Sequence, residues 1–318
     1  MMRQEETMQR GARAAARPRL WLVRAYALLL VGFSAYVLLD TFVITRSYAA
    51  VEAVAAAQEV QTPSTGTNAS IETTIPETQE PTGSTQASLS QTRYCDTTVY
   101  VVDVYASDVT QLLAALADDT YGKNVTAKTS QIAEANDALV AINGDYYGAR
   151  NAGYMVRNGV LYRATAASSD QEDLVIYRDG SFQIVREGEV SAEELVDAGA
   201  WQVFSFGPGL VGDGSVSVDA DDEVGRAKAS NPRTAIGKVV DGHYVLVVSD
   251  GRTSESAGLS LQELAEFMAD ELGVECAYNL DGGGSSTLYY DGEVVNNPTT
   301  SGRSIKERSV SDIVYLEV

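Results

Sequence analysis

The sequence predicts an α+β fold, with a single globular domain behind an N-terminal transmembrane helix and a disordered stalk. The domain is expected to combine a mixed, hairpin-rich β-sheet with a few packed helices. Three observations predict this architecture. Short runs rich in β-branched and aromatic residues recur from about Tyr94 to the end of the chain. Asp-Gly pairs, the strongest short hairpin signal, join several of these runs. Few helical segments interrupt them.

The N-terminal segment predicts a membrane anchor. Residues 1–24 contain six arginines and two glutamates, and residues 20–45 are apolar over about the length needed to cross a bilayer as a helix. Positive charge collects on the cytoplasmic side of membrane helices. We therefore expect residues 1–19 to be a basic cytoplasmic tail and the domain that follows the helix to be extracytoplasmic. A cleaved signal peptide is the alternative.

Residues 46–93 predict a stalk. After an Ala-rich start the segment consists mainly of Ser, Thr, Pro, Gln and Glu, with almost no aromatic residues. Such a composition cannot bury enough apolar surface to offset the entropy of the chain. The globular domain is accordingly expected over residues 94–318.

Local patterns place the main elements of this domain. Asp-Gly turns predict hairpins over residues 174–185, 237–248 and 288–295. Helices are expected over residues 108–119, 130–138 and 260–273. Ser260 and Glu263 form a capping box for the last helix, and its apolar face predicts packing rather than a cofactor site.

Composition excludes several kinds of chemistry. The chain has 23 Lys and Arg against 44 Asp and Glu, a net charge of −21, so a nucleic-acid binder is not expected. Its one histidine, His243, argues against a histidine-rich zinc site. Its two cysteines, Cys95 and Cys276, form no CxxC motif. An exported domain permits a disulfide between them, and a buried free cysteine is the alternative.

Four glycine-containing segments place polar side chains at the ends of predicted strands. They are AINGDYYG (141–148), NPRTAIG (231–237), VLVVSDGRTSES (245–256) and YNLDGGGSST (278–287). The last is the most specific, because three consecutive glycines make a poor structural element but let backbone amides approach an anion. It is neither a P-loop nor a nucleophile elbow.

These segments, together with FGPGLVGDG, the helix ELAEFMADELG and the closing ERSV, resemble the phosphodiester glycosidase family across residues 94–318. Some bacterial members of that family are exopolysaccharide-related. The resemblance implies a hydrolase that cleaves the glycosidic bond of sugar-1-phosphodiesters, with N-acetylglucosamine-1-phosphodiesters as the model. The expected context is extracytoplasmic polysaccharide or cell-wall material, and the products are a free sugar and a phosphomonoester. A noncatalytic glycan-binding or envelope-assembly protein, and a metal-dependent phosphodiesterase that breaks the P–O bond, are the alternatives.

The roles of the matched residues follow from the chemistry. An anomeric phosphate is a good leaving group, so the site needs a carboxylate facing the anomeric carbon and positive charge around the phosphate. The expected catalytic residues are Asp281 first, then Asp145 or Asp250. The expected substrate- and phosphate-binding residues are Asn143, Gly144, Arg233, Arg252, Gly282, Gly283, Gly284, Ser285, Ser286, Glu307 and Arg308.

No obligatory cofactor is expected. The three aspartates and nearby carbonyls leave a divalent cation, Ca or Mg, open. The expected partners are a glycosyl-phosphate polysaccharide or glycoconjugate substrate and, through the N-terminal helix, a membrane.

Overall fold

The computed structural model describes residues 2–50, 85–218 and 230–317, which belong to two compact units. The first unit, Met1–Arg46, contains the helix α1 (Met2–Phe42). Its segment Trp21–Phe42 has a mean hydropathy of 2.0 and is long and apolar enough to cross a membrane, with none of it buried in protein. In length and composition it fits the predicted anchor.

The second unit, Ser47–Val318, contains the domain. Strands are numbered in chain order, and two short ones, Arg46–Ser47 (β1) and Gly122–Lys123 (β5), belong to none of the three sheets described next. The first sheet has seven strands, in spatial order Ser215–Val216 (β13), Gly209–Gly212 (β12), Cys276–Asn279 (β16), Arg233–Val240 (β14), His243–Ser249 (β15), Thr97–Tyr105 (β3) and Gln86–Tyr94 (β2).

Two further sheets have five strands each. The second sheet has the order Phe182–Arg186 (β10), Glu172–Tyr177 (β9), Ala200–Phe204 (β11), Met155–Arg157 (β7) and Val160–Arg163 (β8). The third has the order Glu293–Val294 (β18), Leu288–Tyr290 (β17), Ala138–Asn143 (β6), Asp312–Glu317 (β19) and Leu113–Leu116 (β4). The pairings within these three sheets are antiparallel.

One apolar core is shared by the three sheets. It contains Val102 and Leu246 from the first sheet, Leu174 from the second, and Val140 and Ile142 from the third, all without solvent exposure. Burial of such side chains is the main favourable term in folding. The strand ends that carry the candidate site are therefore held by a common core.

Three short helices cover the outer faces of the sheets. They are α2 (Thr129–Ala135), α3 (Ala192–Asp197) and α4 (Leu261–Glu266), the last continuing as a π-helix over Phe267–Glu271. Helix α4 shares a buried cluster with Val247 of the first sheet. Leu195 of α3 shares one with Val203 of the second, and Ile132 of α2 with Ile313 of the third. Because protein covers both faces, central strands such as β3 and β15 are almost continuously apolar.

The predicted fold class is confirmed, and so are the three Asp-Gly hairpins, which are β9–β10, β14–β15 and β17–β18. The capping box of α4 also forms: Glu263 N donates to Ser260 Oγ at 3.1 Å and Ser260 N to Glu263 Oε2 at 2.8 Å. These features depend on residues close in sequence, which is why the sequence predicts them.

The helix predicted over residues 108–119 is wrong. Asp108 Oδ1 accepts a hydrogen bond from Thr110 N at 2.8 Å and starts only a three-residue 3₁₀ turn. Leu113–Leu116 then pairs with β19 as an edge strand. Trp201 Nε1 donates to the Leu112 carbonyl at 3.0 Å, so contacts distant in sequence override local helix propensity.

Two other predictions near the helices need correction. Helix α3 was not predicted, although Ser191 and Glu194 form a capping box at its start. Ser130 does not cap α2, which begins at Thr129 and includes Ser130 in its first turn.

The boundary of the predicted stalk is also wrong. Of residues 46–93, residues 51–84 lie outside the described part of the chain. Gln86–Tyr94 forms β2, which pairs along its whole length with β3. The turn between them consists of Cys95 and Asp96, with φ values of 44° and 54°, so the hairpin lacks the Asn-Gly or Asp-Gly signature that would reveal it.

Of the two alternatives for the cysteines, the structure shows no disulfide: Cys95 and Cys276 are both free thiols. Through β14 and β15, Cys276 is level with Val104 of β3, whereas Cys95 precedes the first residue of that strand. At about 3.3 Å per residue this separates the two cysteines by roughly 20 Å along the strands. A disulfide needs Cα atoms within about 7 Å of each other.

A buried carboxyl pair lies in the second sheet. Asp173 is fully buried, and neither of its carboxyl oxygens has a hydrogen-bond partner of ordinary geometry. Its neighbour Glu187 accepts hydrogen bonds from Tyr154 N at 2.8 Å and Ser205 Oγ at 3.2 Å. Burial, and after it the charge of Glu187, together raise the pKa of Asp173 to about 9. Asp173 is therefore neutral in the folded protein at neutral pH.

The Asp173–Glu187 pair predicts that the free energy of unfolding falls as pH rises. The pKa of Asp173 is raised on folding, so its contribution is complete below the ordinary value of 3.8 and is lost as pH rises through about 9. Between pH 5 and 8 it contributes a slope of about 1.4 kcal/mol per pH unit to the free energy of unfolding. Asp173→Asn, which keeps a hydrogen-bond donor without a charge, should lose this slope.

Urea unfolding of the full chain in detergent at pH 5, 6.5 and 8 measures this effect. The exposed Asp197 at the end of α3 provides the matched control, Asp197→Asn, which should keep the slope of the wild type. Equal slopes for wild type and Asp173→Asn would contradict the assignment.

Candidate functional site

The site lies where strands of the first and third sheets end. Asn143 is the last residue of β6, Arg233 is the first of β14, and Asp281 follows β16 by two residues. Each of the four glycine-containing segments includes one end of a strand: residues 141–148 the end of β6, 231–237 the start of β14, 245–256 the end of β15 and 278–287 the end of β16. The structure brings these predicted segments together at neighbouring strand ends.

Asn143 joins the two sheets and is fully buried. Its side-chain Oδ1 accepts hydrogen bonds from Thr234 Oγ1 at 2.8 Å and from Thr287 N at 3.3 Å. Its Nδ2 donates to the carbonyls of Asp281, at 2.6 Å, and of Gly144, at 3.3 Å. Both ends of the carboxamide are thus engaged by the protein. Asn143 therefore positions the segments that meet at the site, and the predicted contact of Asn143 with substrate stays a prediction.

Asp281 is the catalytic candidate that the structure places at an accessible position. Its side chain is 12% exposed, and its Oδ2 accepts a hydrogen bond from Arg308 Nη2 at 2.8 Å. Burial raises the pKa of the Asp281 carboxyl, while Arg308, Ser285 and Arg150 act in the opposite direction. The result is a carboxylate that is more basic than a surface aspartate and is bordered by positive charge.

Arg308 reaches Asp281 from the C-terminal ERSV motif, as predicted. Arg308 Nε also donates to Ser285 Oγ at 2.8 Å, and its Nη2 contacts the same oxygen. Asp281, Ser285 and Arg308 thus form one connected group at the glycine-rich loop. Ser285 is fully buried and holds the guanidinium in place.

Glu307 does not line the site, contrary to the prediction. Its carboxylate accepts hydrogen bonds from Ser130 N at 3.0 Å and Ser130 Oγ at 2.7 Å. It therefore supplies the acceptor that the first turn of α2 needs. Arg308, the next residue, contacts Asp281 instead.

Two residues that the sequence analysis missed border Asp281. Tyr146 has a left-handed backbone, with φ of 67°, and is 41% exposed; the Arg308 guanidinium lies 5.9 Å from its ring. Arg150 donates to the Ser205 carbonyl at 3.1 Å and lowers the pKa of Asp281. Tyr146 lies within the AINGDYYG segment and Arg150 follows it by two residues, so the signal for both was their proximity in sequence to Asn143 and Asp145.

The glycine run is explained by close packing within the protein. Gly283 has φ of 64°, and its N–H donates to the Pro232 carbonyl at 2.8 Å. A Cβ at Gly284 would lie 2.3 Å from Thr300 Oγ1, and one at Gly282 3.0 Å from the Pro232 carbonyl oxygen. At least the Gly283 amide is therefore used internally and does not bind an anion as predicted.

Arg233 and Arg252 pack behind this loop. Arg233 Nε donates to the Leu259 carbonyl at 2.8 Å, and Arg233 is 7% exposed. Arg252 Nη1 donates to the Thr300 carbonyl at 2.7 Å, and a Cβ at Gly283 would lie 2.9 Å from its Nη2. Arg233 is buried against backbone, whereas Arg252 is exposed and also donates through Nη2 to Asn231 Oδ1 at 2.8 Å. The cations whose charge lowers the pKa of Asp281 are Arg308 and Arg150, and phosphate binding by Arg233 and Arg252 stays a prediction.

Asp145 belongs to a buried ionic cluster rather than to the catalytic group. Its Oδ2 lies 2.9 Å from Arg157 Nη2 and accepts from Ser205 N at 2.9 Å. Arg157 also binds Asp312 Oδ2 at 2.8 Å, and burial and the charge of Asp145 raise the pKa of Asp312. A Cβ at Gly144 would meet Asp312 Oδ1 at 2.3 Å, so this position needs glycine. Arg157 and Asp312 carry no sequence motif and were missed.

Asp250 also has a structural role. Its Oδ1 accepts from Asn297 N at 2.7 Å and its Oδ2 from Asn297 Nδ2 at 2.8 Å, and it is 3% exposed. Ser286 is fully buried, and its Oγ has no hydrogen-bond partner. The predictions of Asp145 and Asp250 as catalytic alternatives are therefore not supported by their surroundings.

The three predicted aspartates do not converge on a cation. Asp145 binds Arg157, Asp250 binds Asn297, and Asp281 binds Arg308. Among the residues that the structure describes, no group of three or more His, Cys, Asp or Glu side chains is arranged to hold a metal ion.

Comparison with known proteins gives a consistent family. A family model described as phosphodiester glycosidase matches residues 136–317. Human N-acetylglucosamine-1-phosphodiester alpha-N-acetylglucosaminidase is 32% identical over 190 residues, covering 54% of this chain and 36% of the relative. An uncharacterised SPbeta prophage-derived protein of Bacillus subtilis, YomE, is 31% identical over 170 residues, covering 52% of this chain and 26% of the relative. The chain thus spans about a third or less of these curated relatives.

Solved structures share the fold. The catalytic domain of the zebrafish N-acetylglucosamine-1-phosphodiester alpha-N-acetylglucosaminidase, auto-inhibited by its pro-peptide, matches with a TM-score of 0.59 and 19% identity over 76% of this chain and 85% of that one. A hypothetical protein from Synechocystis matches with a TM-score of 0.52 and 16% identity, over 73% of this chain and 61% of that one.

The position of Asn143 predicts a large loss of stability on its removal. Asn143→Ala leaves Thr234 Oγ1, Thr287 N and the Asp281 carbonyl without their partner in a buried place. Each unsatisfied buried group costs about 1–3 kcal/mol, so we expect a loss of about 3 kcal/mol or more. Urea unfolding of the full chain in detergent measures it.

Thr234→Ser is the matched control, because it keeps the hydroxyl that donates to Asn143 and should cost under about 1 kcal/mol. An Asn143→Ala variant as stable as the control would show that the hydrogen bonds of Asn143 do not hold the first and third sheets together.

Proposed function

Because the chain belongs to the phosphodiester glycosidase family, we propose that it hydrolyses the glycosidic bond of sugar-1-phosphodiesters, with N-acetylglucosamine-1-phosphodiesters as the first substrates to test. The observation that carries the proposal is the Asp281 carboxylate, which is largely buried, is made more basic by burial and is bordered by Arg308 at 2.8 Å. A basic carboxylate beside fixed positive charge is what cleavage of an anomeric phosphate requires.

The reaction assigns one role to each member of the group. The bond between the anomeric carbon and the phosphate oxygen breaks, and the phosphomonoester leaves with that oxygen and the electron pair. Water bonds to the anomeric carbon, and its proton passes to Asp281, the strongest base at the site. Asp281 in its charged form also stabilises the positive charge that develops on the sugar.

Arg308 and Arg150 neutralise the leaving phosphate. A guanidinium group offers several donors to phosphate oxygens, and its charge opposes the negative charge that accumulates as the bond breaks. Ser285 fixes the Arg308 guanidinium through two contacts, which reduces the reorganisation needed in the transition state. The exposed ring of Tyr146 forms an apolar surface for the sugar.

The cellular setting is part of the same proposal. The apolar helix Trp21–Phe42 anchors the chain in a membrane, and the arginines before it place the N-terminus in the cytoplasm. The domain then acts outside the cytoplasm on glycosyl-phosphate polysaccharide or glycoconjugate material. The net charge of −21 agrees with a soluble, exported domain.

Asp281→Asn tests the assignment of the base. The substitution keeps the size of the side chain but removes its charge and basicity, so kcat for sugar release should fall by about a thousandfold. The assay is release of reducing sugar from UDP-N-acetylglucosamine and alkyl N-acetylglucosamine-1-phosphodiesters by the full chain in detergent.

The control for this substitution is Glu134→Gln, on the exposed side of α2. It also removes one carboxylate and should keep the activity of the wild type. An Asp281→Asn variant that melts cooperatively and retains wild-type turnover would refute the role of Asp281.

Arg308→Gln tests the electrostatics of the group. Arg308 lowers the pKa of Asp281, so its removal raises that pKa and protonates the base at a higher pH. The acid limb of the kcat/KM profile should therefore move to higher pH, and kcat should fall at every pH.

The exposed Arg303 lies five residues earlier in the same segment, and Arg303→Gln controls for the loss of one positive charge. The two variants should differ in the position of the acid limb. Identical limbs would show that the titrating base is not the carboxylate paired with Arg308.

A further inference from the structure

The first sheet has an exposed aromatic ring at the end opposite to the candidate site. Tyr105 is the last residue of β3 and His243 is the first of β15, and the two are cross-strand partners. Their rings stack with centroids 4.3 Å apart and an interplanar angle of 18°. Tyr105 is 46% exposed, so its ring is supported by protein on one side and open to solvent on the other.

A hydrogen bond fixes the supporting ring. His243 Nε2 donates to Asp103 Oδ1 at 2.8 Å. Asp103 lies on the same face of the sheet as Tyr105, because the two residues are two positions apart on one strand. The one histidine of the chain is thus held in place beneath an exposed tyrosine. A ring restrained in this way loses little conformational entropy when a ligand packs on it.

The open face of the Tyr105 ring is turned towards the edge strand β2. Strand β3 lies between β15 and β2, so the face that His243 leaves free points to β2. There Gln86 is the register partner of Tyr105, and Ser88 is the register partner of Asp103. Cross-strand partners share a face of the sheet, and Gln86 and Ser88 are both exposed. We call these five residues the Tyr105 platform.

Helix α4 covers the adjoining part of this face and leaves the platform open. Val101 of β3 and Val245 of β15 lie on the same face and are buried in one cluster with Leu264 of α4. The next residues on this face, Asp103 and His243, have side chains that are 33% and 18% exposed. The apolar cover therefore ends where the platform begins.

The platform is separate from the candidate active site. Ser249, six residues after His243 on β15, is the register partner of Arg233, the first residue of β14. At about 3.3 Å per residue, roughly 20 Å of strand lies between the platform and the edge of the sheet that carries the site. A ligand on the platform therefore does not occupy the position beside Asp281.

The charge around the platform argues against an anionic ligand. Among the residues that the structure describes, no Lys or Arg forms an ion pair with Asp103. Lys238 of the neighbouring β14 pairs with Asp241 at 2.7 Å, and its register partner is Tyr244, which faces the other side of the sheet from His243. Since the chain has a net charge of −21, a phosphate here would meet repulsion without a compensating cation.

The chemistry of the platform matches the ring of a neutral sugar. A pyranose has a face of C–H groups that packs on an aromatic ring, and a rim of hydroxyls that need hydrogen-bond partners. Tyr105 supplies the ring. The Asp103 carboxylate accepts hydrogen bonds, and the Gln86 carboxamide and Ser88 hydroxyl both donate and accept them. A lipid chain or an apolar peptide would instead bury these polar groups without partners.

We infer that the Tyr105 platform is a second glycan-binding site, which takes one neutral pyranose unit of a polysaccharide. The sugar ring packs on Tyr105 above β2, and its hydroxyls bond to Asp103, Gln86 and Ser88. His243 is a positioning residue for Tyr105. No bond is broken here, and the site does not depend on the proposed hydrolysis. A second point of attachment keeps a polymer close to the domain.

Calorimetric titration of the full chain with neutral hexasaccharides of glucose, of mannose and of N-acetylglucosamine measures this binding. The detergent must have no sugar head group, because such a head group would compete. Wild type should bind at least one of the three with a dissociation constant below about 1 mM. Tyr105→Ala removes the packing surface and should weaken the binding by about tenfold or more.

Three further variants separate binding from folding. Gln86→Ala, at the exposed start of β2, should weaken binding by about threefold through a lost hydrogen bond. Tyr105→Phe keeps the ring and should bind within about twofold of wild type. Tyr48 is as exposed as Tyr105, at 47% against 46%, so Tyr48→Ala is the matched control and should bind as wild type does.

Each outcome decides the assignment. Binding that Tyr105→Ala loses and that Tyr105→Phe and Tyr48→Ala keep supports the platform. Absence of binding to all three hexasaccharides by a wild-type chain that melts cooperatively would overturn it. Equal binding by wild type and Tyr105→Ala would also overturn it, because the sugar would then lie elsewhere. Self-association that Tyr105→Ala abolishes, without sugar binding, would assign this face to a second copy of the chain instead.

Discussion

The hydrogen bonds of one buried carboxamide, that of Asn143, hold the candidate site together. They join the end of β6 to Thr234 at the start of β14, to the Asp281 carbonyl after β16 and to Thr287 before β17. The two sheets also meet through apolar side chains, which specify proximity but not register. A buried polar group with all of its partners in place adds that register, since any shift would leave several groups unsatisfied.

A second buried group fixes the loop that follows Asn143. Asp145 accepts a hydrogen bond from Ser205 N and forms an ion pair with Arg157, which also forms an ion pair with Asp312. Removing one member would leave an uncompensated charge in the core, so the loop has little freedom. Tyr146 and Arg150 are presented from this fixed loop towards Asp281. Asp145 therefore has a structural role in this loop, whereas Tyr146 and Arg150 lie close to the Asp281–Arg308 pair.

The sequence predicts those parts of the fold that depend on neighbouring residues. The Asp-Gly hairpins, the capping box of α4 and the continuous apolar strands are local signals, and the structure agrees with them. The helix expected over residues 108–119 and the stalk expected up to residue 93 are wrong because pairing with distant strands decides both. No local pattern contains that information.

The same distinction applies to the site. The motifs locate its edge of the sheets, and Asp281, Ser285 and Arg308 do come together. The motifs do not reveal that the side chains of Asn143, Asp145 and Asp250 are buried and form hydrogen bonds or ion pairs within the protein. Burial and the identity of these partners depend on the whole fold. Arg150 shows the converse: it has no motif of its own, and its effect on Asp281 becomes visible only in the folded chain, where it lowers the pKa of that carboxyl and packs on Phe206.

Incorporation of heavy oxygen from water tests the central claim most directly. The full chain would hydrolyse a sugar-1-phosphodiester in labelled water, and mass spectrometry of the phosphomonoester would show which bond had broken. Attack at the anomeric carbon, aided by Asp281, leaves every phosphate oxygen unlabelled. A phosphomonoester that carries one labelled oxygen would mean that water attacks phosphorus, and the glycosidase mechanism would be wrong.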